Sequence, residues 1–247
     1  MPEQASRAIH LNAVRLQLGK SAFHFDGSLE SGRITAVVGP SGSGKSTLLN
    51  LISGFERPDS GSIEIAGQDV TALAPAERPV SLVFQDNNLF AHLDLFTNIG
   101  LGINPAMRLT PSDRDAISDA LTRVGLQGYE TRLPGSLSGG ERQRAAFARA
   151  LVRRRPVLLL DEPFAALDPG LRAAMVDLLA DLHAETRATI LLVTHDPRDV
   201  VRLAHNVFFI EKGEVLVNAP KEDFLARGDL PAIRDFLGEE PFQRQSP

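Results

Sequence analysis

The hydrophobic positions of this chain fall into short segments of two kinds. Near the N-terminus, Val14–Leu18 and Ala22–Leu29 contain alternating apolar and polar residues, which is typical of antiparallel strands. Further along, Ile34–Val38, Val157–Leu160 and Thr189–Thr194 are continuous apolar runs, which is typical of strands buried on both faces. The pattern therefore predicts an N-terminal antiparallel β segment and a buried, mostly parallel core sheet.

Helical signals dominate the middle of the chain. From about Leu95 to Leu151 the strand pattern fades, and Pro111-Ser112-Asp113 and Ser138 are typical helix starts. Another helical stretch separates the last two buried strands, and Asn206–Asn218 predicts a terminal hairpin. Buried strands that alternate with helices indicate an α/β fold with helices on both faces of the sheet.

The length of 247 residues suits one α/β domain with a sizeable core. We expect a single domain over residues 1–247, with a helical subdomain at about 95–155 and a C-terminal tail at 219–247. The last residues, Gln243–Pro247, are predicted to be frayed.

Composition excludes several classes of function. The formal net charge of −5 argues against nucleic-acid binding, and the absence of cysteine excludes disulfides and thiol catalysis. The N-terminus lacks the apolar core of a signal peptide, and every apolar run is far shorter than the ~20 residues needed to span a bilayer. We therefore expect that the chain does not cross a membrane alone and that any membrane role comes through a partner.

A glycine-rich loop carries the first chemical signal. Residues 39–46 fit the P-loop pattern G-x-x-x-x-G-K-[ST] in full, and the loop follows a predicted strand and opens a predicted helix. Glycines allow successive backbone N–H groups to surround a phosphate, Lys45 can place a charge on the β- and γ-phosphates, and Ser46 can ligate Mg²⁺. A purely structural glycine turn is the alternative. The predicted nucleotide-binding residues are Gly39, Pro40, Ser41, Gly42, Ser43, Gly44, Lys45, Ser46 and Thr47.

Two acids, Asp161 and Glu162, follow the buried run Val157–Leu160. Ligands of open α/β sheets gather at the carboxyl ends of the strands. Asp161 would hold Mg²⁺, directly or through water, and Glu162 would polarise the attacking water. Alone, such a pair could simply be a strand end that meets solvent. Beside a P-loop, the pair predicts hydrolysis of a nucleoside triphosphate.

The segment Leu137–Glu141 reads Leu-Ser-Gly-Gly-Glu. Ser138 and Glu141 form a capping-box pattern, which needs no ligand. Gly139 and Gly140 do not suit that simple interpretation, because each glycine in a first helical turn costs up to ~1 kcal/mol relative to alanine. They are understandable if an anion approaches the backbone at the helix N-terminus.

Taken together, these motifs resemble the ATP-binding subunits of ABC transporters. The resemblance extends from the N-terminal strands to about Asn218. The motifs that carry it stand in family order: the P-loop at Gly39–Ser46, the Q-loop at Gln85, the signature at Leu137–Glu141, Walker B at Val157–Glu162, the D-loop at Ala166–Asp168 and the switch histidine His195. The implied fold is a P-loop NTPase cassette with a mostly parallel core sheet, an N-terminal antiparallel β subdomain and a helical signature subdomain.

The resemblance also implies roles for single residues. Gln85 would sense Mg²⁺ and water and link to the membrane subunit, and His195 would contact the γ-phosphate and orient the water. A head-to-tail homodimer would hold two ATP molecules, each between one P-loop and the partner's Ser138–Gly140, with Asp168 across the dimer seam. Glu162, His195 and Gln85 are thus the implied catalytic residues, with ATP and Mg²⁺ as cofactors.

The implied partners are two transmembrane permease subunits and a periplasmic solute-binding protein, at the cytoplasmic face of the inner membrane. The apolar residues Leu89, Phe90 and Leu93 would either receive a permease helix or pack into the local core. Within the family, Phe84–Leu109 is most similar to thiamine-importer subunits. Importers of iron, polyamines or sulfate remain alternatives, as do soluble ABC ATPases and a non-catalytic nucleotide-binding scaffold.

This chain departs from the family pattern at two places. Glu141 stands where the family usually has glutamine, which we expect to favour the capping role. The aromatic residue that stacks on adenine in the family corresponds to a position near Leu18, with Phe23 as a nearby substitute.

Overall fold

The computed structural model describes residues 7–84, 88–165, 167–227 and 229–238. It forms two compact units. The chain leaves the first unit after Arg78 and returns to it at Val193. The predicted frayed segment Gln243–Pro247 lies outside the described residues.

The first unit is built on strands that pair mostly with antiparallel neighbours. Its strands are β1 (Arg7–Leu18), β2 (Ser21–Glu30), β3 (Ile34–Val38), β4 (Ser60–Ile65), β5 (Gln68–Asp69), β9 (Asn206–Glu211) and β10 (Glu214–Pro220). Their spatial order is β5-β4-β1-β2-β10-β9-β3. The N-terminal strands β1, β2, β4 and β5 pair antiparallel, whereas β3 and β9 pair parallel.

Both N-terminal strands extend beyond the segments that the alternation predicts. The cause in β1 is a bulge between Leu11 and Val14, which shifts the pairing register and interrupts the apolar–polar alternation. Ala13 takes a φ of 46° there, and its N–H donates to Asp26 Oδ2 at 2.8 Å. A local pattern read from the sequence therefore breaks at the bulge although the strand continues.

Four helices complete the described part of the first unit: α1 (Lys45–Ser53), α6 (Pro197–Leu203), α7 (Lys221–Leu225) and α8 (Pro231–Leu237). The last two pack on a buried apolar cluster that includes Val38, Phe209 and Phe224. The rings of Phe209 and Phe224 lie 5.9 Å apart, and Phe236 of α8 lies 6.2 Å from Phe224. The C-terminal helices thus cover β3, which leads to the P-loop, and its neighbour β9.

The second unit, residues 79–192, combines short parallel strands with helices. Its elements are β6 (Val80–Val83), α2 (Leu95–Ile103), α3 (Pro111–Arg123), α4 (Gly139–Val152), β7 (Val157–Asp161), α5 (Pro169–Thr186) and β8 (Thr189–Val193), which reaches the boundary. Strands β6 and β7 pair parallel, and every residue of Val157–Leu160 is buried. No helix among the described residues is both long and apolar enough to span a bilayer.

Candidate functional site

The P-loop connects the buried end of β3 to the start of α1. Gly44 is the N-cap of the helix with a φ of 111°, and Gly39 has a φ of 147°. A Cβ atom at Gly39 would lie 2.0 Å from the carbonyl oxygen of Ile210, so only glycine fits there. At Gly42 a Cβ would meet nothing within 4 Å, which leaves open space beside the loop.

Polar groups converge on this loop. Lys45 Nζ donates to the carbonyl oxygens of Gly39 at 2.9 Å and Pro40 at 2.8 Å. Ser43 is buried, and its Oγ has no hydrogen-bond partner among the described residues, while Ser46 is exposed. The N–H groups at a helix start, an ammonium group and a buried hydroxyl form a donor set that suits a phosphate group.

His195 lies in the same unit, just after β8. The N–H of Thr194 donates to the carbonyl oxygen of Val37 at 3.3 Å. Because Thr194 precedes His195 and Val37 lies two residues before Gly39, this bond places the backbone at His195 near the start of the P-loop. Thr194 Oγ1 donates to the buried carboxylate of Asp199 at 2.6 Å and accepts from the N–H of Asp196 at 3.1 Å. This network fixes the backbone on both sides of the exposed His195.

Thr194 and Asp199 were missed by sequence reasoning. The available signal was a threonine before the histidine together with an aspartate in the first turn of the next helix, α6. Such a threonine–aspartate pair is also common as a simple helix cap, so the residues alone did not indicate that they hold a histidine.

Phe23 is an aromatic residue close to the P-loop. A Cβ added to Gly44 would lie 2.9 Å from the Phe23 ring, and Phe23 stacks on Phe25 with ring centres 6.1 Å apart. Leu18 is 38% exposed at the end of β1 and pairs with Ser21 across the hairpin. Phe23 therefore lies directly beside the P-loop, at Gly44.

In the second unit, β7 ends at Asp161, and the next residue, Glu162, begins a tight turn. Glu162 has a φ of 46°, a left-handed conformation that is strained for a residue with a side chain. The N–H of Ala165 donates to the carbonyl oxygen of Glu162 at 3.2 Å and closes the turn. Asp161 and Glu162 are both half-buried.

The signature segment forms the N-terminus of α4. Ser138 is the N-cap; its Oγ accepts from the N–H of Glu141 at 3.2 Å, and its own N–H donates to Glu141 Oε2 at 2.7 Å. The hydrogen bonds from the backbone and then from the hydroxyl of Ser138 lower the pKa of the Glu141 carboxyl. The predicted capping box is confirmed, and it leaves Ser138 exposed to solvent.

The D-loop residue Asp168 begins α5, a helix that packs against the start of α4. Asp168 caps α5 and accepts from the N–H of Leu171 at 3.0 Å. A Cβ at Gly140 would lie 2.7 Å from Leu171 Cδ2, so the second signature glycine is needed for α5 to approach. At Gly139 the nearest atom would be 4.0 Å away, which leaves that backbone open.

Two of the predicted positions fall outside the described residues: Gln85 of the Q-loop and Ala166 of the D-loop. For the apolar residues that follow Gln85, the sequence left two possibilities open, a contact for a permease helix or packing into the local core. Phe90 is 48% exposed, whereas Leu89 and Leu93 are half-buried.

Comparison with known proteins gives a consistent result. The family model described as ABC transporter matches residues 23–165. The thiamine import ATP-binding protein ThiQ of Rhizobium meliloti (strain 1021) is 53% identical over 236 residues, covering 96% of this chain and 99% of the relative. The protein of the same name from Brucella suis biovar 1 (strain 1330) is 54% identical over 235 residues, covering 95% and 98%.

Solved structures agree in fold. A dimeric ATP-binding cassette in a post-hydrolysis state, bound to ADP and Pi, superposes with a TM-score of 0.76 at 29% identity, over 86% of this chain and 98% of that one. A Clostridium perfringens protein that is part of the cbiONQ ABC transporter complex gives a TM-score of 0.77 at 27% identity, over 90% and 92%. The fold and family predicted from the motifs are confirmed: this chain belongs to the ABC transporter family, as an ATP-binding cassette.

Proposed function

We propose that this chain is the ATPase subunit that powers a thiamine importer. The observation that carries the proposal is the similarity, over nearly the full length of both chains, to thiamine import ATP-binding proteins. The geometry of the P-loop and of the turn at Glu162 is consistent with ATP hydrolysis, the step that would supply the free energy for uptake.

The P-loop residues fit the triphosphate of ATP. The open space at Gly42, the buried Ser43 hydroxyl and the ammonium group of Lys45 together provide donors where an anion would lie. Lys45 would exchange its bonds to the loop carbonyls for bonds to phosphate oxygens, which keeps its charge paired throughout. The Phe23 ring beside Gly44 is the aromatic surface available to a nucleobase on this side of the loop.

The remaining site residues would have separate roles in hydrolysis, some in binding Mg²⁺ and others in activating water. Ser46 and Asp161, with Gln85, offer the oxygen ligands that Mg²⁺ prefers, and Mg²⁺ would neutralise phosphate charge when bound. Glu162 would accept a proton from the attacking water, and His195 would orient that water and the γ-phosphate. The strained backbone at Glu162 holds the carboxylate at the strand end, which suits a group that must be positioned before reaction.

We further propose that two copies of this chain form the ATPase dimer, with Ser138–Gly140 of one copy facing the P-loop of the other. The solved relative with ADP and Pi is itself dimeric, which supports this arrangement. Ser138 is exposed and the backbone at Gly139 is open, so an anion can approach both.

Two permease subunits and a periplasmic solute-binding protein complete the proposed importer at the cytoplasmic face of the inner membrane. Phe90 and Leu133, each 48% exposed in the second unit, are the apolar residues that we propose as contacts for the permease. Buried Asn98 holds the Phe90 segment through bonds of 2.8 and 3.1 Å, and Leu95 N–H donates to the carbonyl oxygen of Arg132 at 3.0 Å. Such well-ordered apolar exposure is typical of an interface.

The test is thiamine uptake by the reconstituted complex, with the permease and binding protein in lipid vesicles that enclose ATP. We expect labelled thiamine to accumulate and ATP to be hydrolysed. Glu162→Gln should lower both rates about 10²–10⁴-fold, because a positioned base contributes about that much. Asp181→Asn, the same chemical change at an exposed position of α5, should leave both rates unchanged.

Two results would count against the proposal. Near-normal turnover of Glu162→Gln would remove Glu162 from the role of base. ATP hydrolysis that responds to another solute, with no thiamine uptake, would preserve the ATPase and exclude the thiamine assignment.

A further inference from the structure

One buried side chain joins the signature helix to the turn that presents Glu162. Gln143 lies on α4, three residues after Gly140, and is only 2% exposed. Its Nε2 donates to the carbonyl oxygen of Pro163, the residue directly after Glu162. A glutamine amide can make several hydrogen bonds, yet Oε1 of Gln143 has no partner among the described residues.

Among the described residues, the carbonyl oxygen of Pro163 accepts a hydrogen bond only from Gln143. The turn closes through the carbonyl oxygen of Glu162 and the N–H of Ala165, at 3.2 Å. Both Pro163 and Phe164 are buried, so the carbonyl of Pro163 needs a donor from within the protein. Gln143 supplies it from a different element.

The position of Glu162 needs such support. Its φ of 46° is strained, and a residue that precedes proline normally prefers an extended backbone. Strain of this kind persists only where surrounding contacts hold it. Removing the donor at Pro163 would let the turn relax and would move the carboxylate of Glu162.

The same face of α4 also meets helix α5. Gly140 and Gln143 are one helical turn apart, and Gly140 packs against Leu171 of α5. Arg172 of α5 in turn lies over the ring of Phe164 at 5.9 Å, which closes the connection back to the turn. The signature helix, the Glu162 turn and α5 therefore form one packed block within the second unit.

We propose that Gln143 is a positioning residue for ATP hydrolysis, which holds the backbone at Glu162–Pro163 so that the carboxylate of Glu162 meets the attacking water. This inference rests on the proposed function, in which Glu162 acts as the base. Because Gln143 acts on the base and not on the nucleotide, its loss is expected to affect the hydrolytic step and to leave ATP binding in place.

The test uses Gln143→Met, which keeps the length of the side chain and removes the donor. We expect kcat of the full-length protein to fall at least 10-fold while KM for ATP changes less than about 3-fold, because only the reacting geometry is lost. Gln143→Asn, whose shorter amide cannot reach Pro163, should show the same split, and it remains informative if the methionine variant folds poorly.

The matched control is Arg144→Met on the same helix. Arg144 also bonds a loop carbonyl, that of Val124 at 3.3 Å, but far along the chain from Glu162. Its loss is expected to lower the melting temperature by a similar amount and to leave kcat within about twofold of the unmodified protein. If Gln143→Met lowers kcat no more than Arg144→Met does, Gln143 has only a structural role.

A second measurement separates damage to the base from damage to the signature. With ATP, Glu162→Gln is expected to accumulate as an ATP-bound dimer in size-exclusion chromatography. Adding Gln143→Met to that variant should leave the dimer intact; its loss would mean that Gln143 serves the signature instead, and the proposal would be wrong. If the unmodified protein hydrolyses no ATP, or Glu162→Gln turns over normally, the proposed function itself has failed.

Discussion

Arg78 is a fully buried arginine in the first unit, and it shows how one residue can hold several distant segments. Its Nη1 donates to the carbonyl oxygens of Leu51 at 2.6 Å and Ile52 at 3.0 Å, in the last turn of α1. Its other nitrogens donate to the carbonyl oxygens of Thr71 and Leu73, both at 3.2 Å. The guanidinium thus satisfies the carbonyls left open at the C-terminal end of the P-loop helix, where the helix dipole also favours a cation.

Burial lowers the pKa of Arg78, since desolvation disfavours the charged form. The group nevertheless stays protonated, because arginine does not lose its proton in proteins. Its charge is therefore stabilised mainly by backbone carbonyls, with Asp69 as a nearby opposite charge.

We predict that Arg78→Met lowers the free energy of unfolding by about 3 kcal/mol or more, because each carbonyl left buried without a donor costs ~1–3 kcal/mol. Thermal and urea denaturation of the purified protein measure the loss. Arg78→Lys, which keeps the charge but has a single nitrogen, should be intermediate. A loss below about 1 kcal/mol for the methionine variant would show that the cavity admits water instead.

At the scale of elements, two helices of the second unit begin with a capping box. Ser138 and Glu141 form the capping box of α4, and Thr110 and Asp113 form that of α3. Only the first box is followed by two glycines, at Gly139 and Gly140, which open the backbone of the first turn. The two boxes therefore allow the capping role of Ser138 to be separated from its role in binding ATP.

We predict that Ser138→Arg and Thr110→Arg destabilise their helices similarly, by about 0.5–2 kcal/mol for the lost cap, with a further small cost for a cation at a helix N-terminus. Melting temperatures should fall by comparable amounts. ATP hydrolysis should be nearly abolished by Ser138→Arg alone, since Thr110 faces no nucleotide in the proposed dimer. Equal ATPase activity in the two variants would mean that Ser138 acts only as a helix cap and does not contact ATP.

At the scale of the whole molecule, the proposed function requires two copies of this chain. The P-loop and the signature lie on different compact units, residues 1–78 with 193–247 and residues 79–192. A site shared between two copies would combine the P-loop, Asp161 and Glu162 of one copy with Ser138–Gly140 of the other. Each copy would then contribute residues to both catalytic sites.

We predict that Lys45→Ala and Ser138→Arg, each nearly inactive alone, regain part of the ATPase activity when mixed. A mixed dimer would concentrate both lesions in one shared site and leave the other site intact. The activity should be greatest near equal proportions, with differently tagged copies used to count the mixed dimers. As a control, Lys45→Ala mixed with Glu162→Gln should stay inactive, because each of these lesions damages the site built on its own P-loop.

Absence of rescue, although mixed dimers are present, would mean that the sites are not shared or that one intact site does not suffice. Chemical crosslinking between the P-loop of one copy and the signature of the other, in the presence of ATP, distinguishes these two outcomes.

The sequence alone determined the features that depend only on residues close together in the chain. The P-loop needs glycines and a lysine at fixed spacing, and the capping box at Ser138 needs a partner only three residues away. Continuous apolar runs such as Val157–Leu160 could be recognised as buried strands for the same reason. In each case the physical requirement lies within one turn or one strand, so the pattern carries it.

Only the tertiary structure decided which polar side chains bind distant backbone. Arg78 meets a carbonyl 27 residues away and Gln143 one 20 residues away, and in the sequence either could equally have been a solvated side chain. The sequence also did not show that the ring of Phe23 lies beside Gly44, which the structure does. These partners depend on how strands and helices pack, because a buried carbonyl accepts whichever donor the packing brings within reach.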